Sequence, residues 1–330
     1  MFRILSALAL ACALAGAAVA QEKQQEGPKV SGGERDAVQK IEKAQGTEAK
    51  LQLAAAFVKK YPQSPLRAQV ADSIAREIAA TTDQQAKGSL AQTFIEIFNL
   101  PEEAPLVTAS LLNSYINTGQ TQDAMRLGAE WLTKHPDDVE TMMNLTIAAS
   151  GEAIKGNSAF VQQGRDYGVK AIALLEADKM PAGWDAAKWP EFRQASLVSL
   201  YREAGVLEHL SGNKDAAKPL LEKAAALRSK DPGVYLILAD YAGGEYDLRS
   251  KAYNVATGEQ KAAALKTAEA ALDNLIEASA RAVAMTDGDA RYKQANDAIR
   301  ADLERNYKFR HKGSADGLQQ LIDKYKKPTQ

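Results

Sequence analysis

The chain has 330 residues and a formal net charge of −1 at pH 7, and 25% of its residues are charged. This near-neutral balance argues against a nucleic-acid-binding protein, because such proteins concentrate basic residues on one face to displace counterions from phosphates. The only cysteine is Cys12, so no disulfide can form within the chain.

The first twenty residues have the layout of a secretory signal peptide. Arg3 supplies a positive charge, residues 4–17 are apolar, and residues 18–20 form an Ala-Val-Ala cleavage site. The apolar run is short for a membrane span, and no later stretch approaches that length. Cys12 is a poor lipid-attachment site because Leu10 stands at the wrong place for a lipoprotein box. The sequence therefore predicts an exported protein, periplasmic in a Gram-negative cell, with no transmembrane span in the mature chain.

We expect N-terminal sequencing of the mature protein to begin at Gln21, because cleavage should follow the small residues at 18–20. A mature chain that begins with a lipid-modified Cys12 would contradict this expectation. It would also tether the protein to a membrane.

Residues 21–35 are polar and rich in Gln, Glu and Gly, which predicts a disordered leader. From residue 36 onward, apolar residues recur at the spacing of amphipathic helices, with Gly and Pro between them. We count about fourteen helices, or seven hairpins, and find no useful strand alternation. The sequence predicts an all-α fold in which residues 36–330 form one continuous array.

Two stretches, 104–136 and 198–232, show the hairpin pattern most clearly. Each has a glycine turn between two helices (Gly119 or Gly212) and ends at a proline. The positions that carry the pattern are Leu111, Tyr115, Gly119, Ala124, Trp131 and Pro136 in the first stretch, and Ala204, Gly205, Gly212, Ala217, Leu221, Ala224 and Pro232 in the second. Both stretches resemble the tetratricopeptide repeat (TPR), a pair of antiparallel helices about 34 residues long that stacks on copies of itself.

Other segments follow the pattern less closely. A hairpin is predicted from helices over 139–154 and 159–175, with its turn at Gly156. The insertion 180–190 then interrupts the regular spacing of the hairpins. Residues 233–330 are expected to be divergent capping helices, because the end units of solenoids must close the core. Their predicted helices cover 265–283, 292–307 and 318–325.

The resemblance implies a right-handed superhelical solenoid whose units share one elongated core, since a single hairpin cannot bury its apolar face. It also places Gly205 and Ala217 where paired helices nearly touch backbone to backbone. Residues 57–65 look like the repeat junction of exported TPR proteins of bacterial envelopes, including outer-membrane assembly lipoproteins.

No catalytic or metal-binding pattern is present in the sequence. His135, His209 and His311 lack partners at a metal-ligand spacing, and there is no nucleophile elbow, phosphate loop or dinucleotide fingerprint. The acidic pairs at 102–103 and 137–138 are interpreted as stabilising the positive ends of helix dipoles. The sequence therefore predicts a non-catalytic protein that needs no metal and no cofactor.

In TPR proteins the first helix of each hairpin lines a concave groove that binds extended peptides or partner helices. By this resemblance, the inner surface would carry Asn113, Asn144, Arg202, Val206, His209 and Asp240. Asn and Arg side chains there could pair with a peptide backbone or a carboxylate, and Arg202 is expected to be solvated.

Trp184 and Trp189, both in the insertion, form an alternative aromatic anchor for a partner. The competing interpretation, which we favour, is that the insertion buries both rings over a gap between repeats. Trp131 is expected to lie in the core.

The leading hypothesis is an exported scaffold that binds protein segments in a concave groove. One alternative is a structural subunit of an outer-membrane or secretion assembly, which would dock by its outer face or by the tryptophan insertion. A less favoured alternative is an envelope enzyme without a recognisable motif. An enzyme should converge polar residues in a closed pocket, whereas a scaffold should spread them along an open groove.

Overall fold

The computed structural model describes residues 30–180 and 184–326. Of these residues 77% are helical and none lies in a strand, which confirms the all-α prediction. The predicted signal peptide (residues 1–20), residues 21–29 of the predicted leader and residues 181–183 of the insertion lie outside the described residues.

Fourteen α-helices in the described part of the chain pack in adjacent pairs. They are α1 (Gly32–Lys43), α2 (Thr47–Lys60), α3 (Arg67–Ala80), α4 (Gln84–Ile97), α5 (Pro105–Asn117), α6 (Thr121–Lys134), α7 (Val139–Ile154), α8 (Val161–Glu176), α9 (Trp189–Leu210), α10 (Lys214–Ala226), α11 (Pro232–Val255), α12 (Glu259–Thr286), α13 (Lys293–Arg310) and α14 (Leu318–Asp323). A short 3-10 turn, Ala290–Tyr292, precedes α13. No helix among the described residues is both long enough and apolar enough to cross a bilayer.

The first helix begins inside the segment that was expected to be disordered. Ser31 Oγ accepts a hydrogen bond from the N–H of Glu34 at 3.3 Å, and the Glu34 carboxylate accepts one from the N–H of Ser31 at 2.7 Å. This reciprocal capping box satisfies two backbone donors at the helix start. The boundary predicted at residue 36 is therefore wrong, and α1 begins at Gly32.

From α3 to α9 the hairpins stack through their first helices. Helices α3, α5, α7 and α9 pack on one another in that order, while each also packs on the helix that follows it. The predicted turns at Gly119 and Gly212 are confirmed, and both glycines have a φ of +76°. That left-handed conformation is one that residues with a Cβ adopt only at a cost.

The approach of α9 to α10 is close, as the TPR-like spacing predicted. A Cβ placed on Gly205 would lie 2.8 Å from Leu221 Cγ and 3.3 Å from the backbone nitrogen of Leu221. Ala217, the second predicted contact position, is fully buried. Small residues at this crossing therefore allow the two helices to pack with almost no space between their backbones.

The acidic pair at 102–103 has a role that the sequence analysis missed. Glu103 accepts hydrogen bonds from Arg67 Nε at 2.6 Å and Nη2 at 2.9 Å, and from the N–H of Leu100 at 2.9 Å. The side chains of Arg67 and Glu103 are only 7% and 4% exposed. The interpretation of Glu103 as a helix-dipole partner is replaced by a buried ion pair between α3 and the segment before α5.

The core does not run unbroken to the C-terminus. One cluster of buried apolar residues extends from α1 to α11 with a contribution from α12, and a second cluster joins α12, α13 and α14 through Leu272, Leu303 and Ile322. Ile299 packs against both clusters. The single continuous core expected for residues 36–330 is thus two adjoining clusters among the described residues.

The last buried residue of α11 is Tyr241, and the first buried residue of α12 is Ala268. Tyr241 of α11 contacts His209 and Lys214, which flank the turn between α9 and α10. None of residues 242–267, which we call the overhang, is buried. Its residues Leu248 and Val255 are 58% and 80% exposed.

Candidate partner-binding surfaces

The six groove residues predicted from the resemblance all lie on the first helix of a pair. Asn113 is on α5, Asn144 is on α7, Arg202, Val206 and His209 are on α9, and Asp240 is on α11. Asp240 is exposed and the other five are half-buried. Of this set, only Arg202 lines one of the main clefts in the described part of the chain.

His209 contacts α11 through Tyr241, the residue that follows Asp240. A hydrogen bond of 2.7 Å joins His209 Nδ1 to the hydroxyl of Tyr241. Burial raises the pKa of Tyr241, and the charge of Asp240 raises it further. This contact between hairpins accounts for His209 without a ligand.

Arg202 is less solvated than the sequence predicted. Its side chain is 32% exposed, and it forms ion pairs with Glu203 and, at 3.4 Å, with Asp231. Its Nε atom is buried without a hydrogen-bond partner in the described structure. The expectation that Arg202 is solvated is therefore wrong, whereas its place in a binding groove stays a prediction.

Arg202 lies in an open cleft of about 600 Å³ that three separate parts of the chain form. Helix α9, the connection between α10 and α11, and the segment before α13 contribute its walls. We call it the basic cleft, because its lining includes four basic side chains and only one acidic side chain: Arg202, Arg228, Lys230 and Arg291 against Asp231.

Two of these four cations already have carboxylate partners. Arg202 pairs as described, and Arg291 donates to both carboxylate oxygens of Asp289, at 3.1 and 2.7 Å. Those hydrogen bonds raise the pKa of Arg291. Arg228 and Lys230 form no ion pair with any carboxylate of the described residues, so the cleft keeps an excess of positive charge.

The burial of Trp184 and Trp189 mainly follows the favoured interpretation. Trp189 is 5% exposed, and its indole N–H donates to Asp178 Oδ1 at 2.8 Å. Trp184 is half-buried, with its ring centroid 4.2 Å from that of Phe192 and 5.7 Å from that of Trp189. The three rings form one cluster in which only Trp184 and Phe192 reach a cleft.

That cleft, which we call the aromatic cleft, has a volume of about 650 Å³. Trp184 and Phe192 form one side of it, and the loop and helix start at residues 135–140 form another. Glu140 is exposed, but partial desolvation by the walls of the cleft raises its pKa, and the nearby charge of Asp138 adds to the effect. The aromatic cleft thus combines an apolar surface with carboxylates.

Asp138, which lines the aromatic cleft, forms hydrogen bonds with both α7 and α6. Asp138 caps α7 by accepting a hydrogen bond from the N–H of Thr141 at 3.1 Å, as its position at a helix start predicted. It also accepts a hydrogen bond from the indole N–H of Trp131 at 2.7 Å. Trp131 stacks on the exposed His135 and is itself half-buried. The prediction that Trp131 lies in the core is therefore only partly right.

The sequence patterns did not predict the basic cleft, because its residues come from segments that lie far apart along the chain. The one local signal is the run Arg228-Ser229-Lys230-Asp231, where two cations stand close together before the proline that starts α11. Nothing in the sequence indicated that Arg291 and Tyr292 would lie beside it.

Within residues 30–180 and 184–326, no group of three or more His, Cys, Asp or Glu side chains could hold a metal ion. No protein-family model matches the chain, and no curated protein shows significant sequence similarity to it.

Proposed function

We propose that the protein is an exported, non-catalytic TPR-like scaffold, a right-handed superhelical solenoid that binds segments of partner proteins. The observation that carries this proposal is the distribution of polar groups along the helical array. They are spread over open clefts that successive hairpins form, whereas catalysis usually requires acids, bases or nucleophiles that converge at one point. The stacking of α3, α5, α7 and α9 also supports it, since repeat proteins build extended binding surfaces in this way.

The basic and aromatic clefts are the surfaces best suited to a polypeptide. The aromatic cleft offers rings that can receive an apolar side chain, beside the carboxylate of Glu140. The basic cleft offers guanidinium and ammonium donors beside Val198 and Pro232. Mixed apolar and charged linings of this kind match peptide segments, in which both types of side chain alternate.

A second candidate function is a structural subunit of a membrane-associated envelope assembly. The overhang favours it, because Leu248 and Val255 are exposed on a helix whose outer half buries no residue. Exposed apolar side chains on such an element can anchor another protein. In this alternative the partner would cover α11, and the clefts would stay open.

Site-specific photo-crosslinking in the periplasm distinguishes these functions. We expect benzoylphenylalanine at Ser199 in the basic cleft or at Glu140 in the aromatic cleft to form adducts with partner proteins. The exposed position Lys59 on α2 serves as the matched control and should form none. Adducts at Leu248 alone would favour the assembly subunit, and absence of adducts at Ser199 and Glu140 would contradict the scaffold proposal.

A further inference from the structure

Arg228 adopts a backbone conformation that its residue type disfavours. Its φ is +60°, in the left-handed region where a Cβ is crowded and glycine is preferred. It is the second residue after α10 and follows the C-cap Leu227. Its N–H donates to the carbonyl of Ala225 at 3.0 Å, and the N–H of Ser229 donates to that of Ala224 at 2.9 Å. These two bonds form a Schellman motif, and glycine is the usual residue at this position of the motif.

The side chain of Arg228 lines the basic cleft together with Lys230. Residues with strained backbone conformations cluster at sites that bind ligands or switch conformation. Neither Arg228 nor Lys230 pairs with a carboxylate of the described residues. Both cations are therefore available to an anion that enters the cleft.

The remaining charges of the basic cleft do not neutralise these two cations. Asp231, its only acidic lining residue, accepts a hydrogen bond from the N–H of Gly233 at 2.8 Å and pairs with Arg202. Asp231 shares Arg202 with Glu203, and Arg291 pairs with Asp289, so the four cations face three carboxylates and the cleft keeps a net charge of +1. A ligand carboxylate would therefore meet a net positive charge, with Arg228 and Lys230 as the cations that hold no carboxylate of the described residues.

We infer that the basic cleft binds an acidic segment of a partner protein, whose carboxylates pair with Arg228 and Lys230. This inference rests on the proposed function, because it names the chemistry of the protein segment that the scaffold would hold. Arginine forks bind carboxylates through two parallel hydrogen bonds. Val198, Leu227 and Pro232 in the same lining offer apolar contacts that a peptide can use and a bare inorganic anion cannot. Two unpaired cations are also too few for a nucleic-acid surface, which needs a continuous basic stripe.

The variant Arg228→Gly tests this inference without damaging the fold. It removes the guanidinium and replaces a disfavoured left-handed residue with one that adopts this conformation freely. The melting temperature should stay equal to that of the wild type or rise. The affinity for a fluorescent, end-capped peptide of alternating glutamate and leucine, measured by anisotropy, should fall at least about tenfold.

Lys312→Gly is the matched control. Lys312 is also a cation in the left-handed region, with a φ of +55°, and its loss changes the net charge by the same amount. It follows α13 at the end opposite to Arg291 and Tyr292, and a helix of 18 residues is about 27 Å long. We expect Lys312→Gly to leave the affinity for the glutamate–leucine peptide unchanged.

Three results would overturn the inference. They are an equal loss of affinity in both variants, equally tight binding of a lysine–leucine peptide by the wild type, and complete displacement of the acidic peptide by millimolar inorganic phosphate. If the acidic peptide does not bind but benzoylphenylalanine at Glu140 still captures a partner, this inference fails while the proposed scaffold function stands. If the acidic peptide does not bind and photo-crosslinking captures no partner, both this inference and the proposed scaffold function are rejected.

Discussion

Gly205→Trp should lower the free energy of unfolding by about 3 kcal/mol, because it overpacks the close crossing of α9 and α10. Even a Cβ at residue 205 would lie 2.8 Å from Leu221 Cγ and 3.3 Å from the Leu221 backbone nitrogen. Leu221 is itself fully buried, so it cannot move aside into solvent. Helix α10 would have to separate from α9, and the apolar contacts between them would be lost.

The matched control is Gly244→Trp, which makes the same substitution within a helix. Gly244 is exposed in α11, and a Cβ placed on it meets no atom within 4 Å. Gly244→Trp should change the free energy of unfolding by no more than about 0.5 kcal/mol, as other surface substitutions do. Urea unfolding followed by circular dichroism at 222 nm measures both variants. A Gly205→Trp protein with the midpoint of the wild type would show that α9 and α10 do not approach at this position.

Glu103→Ala should destabilise the fold by about 3–5 kcal/mol, because it leaves the Arg67 guanidinium buried without its countercharge. Arg67 is 7% exposed and donates two hydrogen bonds to Glu103. The N–H of Leu100 would lose its acceptor as well. The exposed pair of Arg76 with Asp72 is the control, and Asp72→Ala should cost less than about 1 kcal/mol.

Replacement of both buried partners should cost less than removal of one. In Arg67→Met combined with Glu103→Leu, no unpaired charge remains in the interior, so much of the stability should return. A double variant as unstable as Glu103→Ala would mean that packing at these positions, and not the unpaired charge, determines the loss.

The ion pair between Arg67 and Glu103 also predicts how the free energy of unfolding changes at acidic pH. Burial by itself would raise the pKa of Glu103, but the hydrogen bonds from Arg67 and Leu100 and the charge of Arg67 outweigh it and lower the pKa below its ordinary value. The unfolded chain therefore takes up the proton more readily than the folded one. The stabilisation is present above the ordinary glutamate pKa of about 4.3 and is lost as the pH falls through the lowered value. Glu103→Ala should remove this part of the acid dependence of the urea midpoint.

Local patterns in the sequence were enough to predict the helices and several turns. The helix predicted over 139–154 has those bounds in the structure, and the turn glycines Gly119 and Gly212 have the positive φ that their positions required. Helix formation and turns depend on residues a few positions apart, so their signals survive in a single sequence. The predicted start of the first helix was wrong. The polar composition of residues 21–35 indicated disorder, and the capping signal of Ser31 and Glu34 within it is short.

Only the tertiary structure decided which side chains share a site. Glu103 looked like one of many acidic residues near a helix start, and its partner Arg67 lies on another helix. Arg202 was expected in a solvated groove, but the connection after α10 places Asp231 against it. Arg228 and Arg291 come together only because α12 and α13 bring the distant segment before α13 beside α9. Contacts of this kind depend on how whole helices pack, and the periodicity of a single sequence carries no information on that packing.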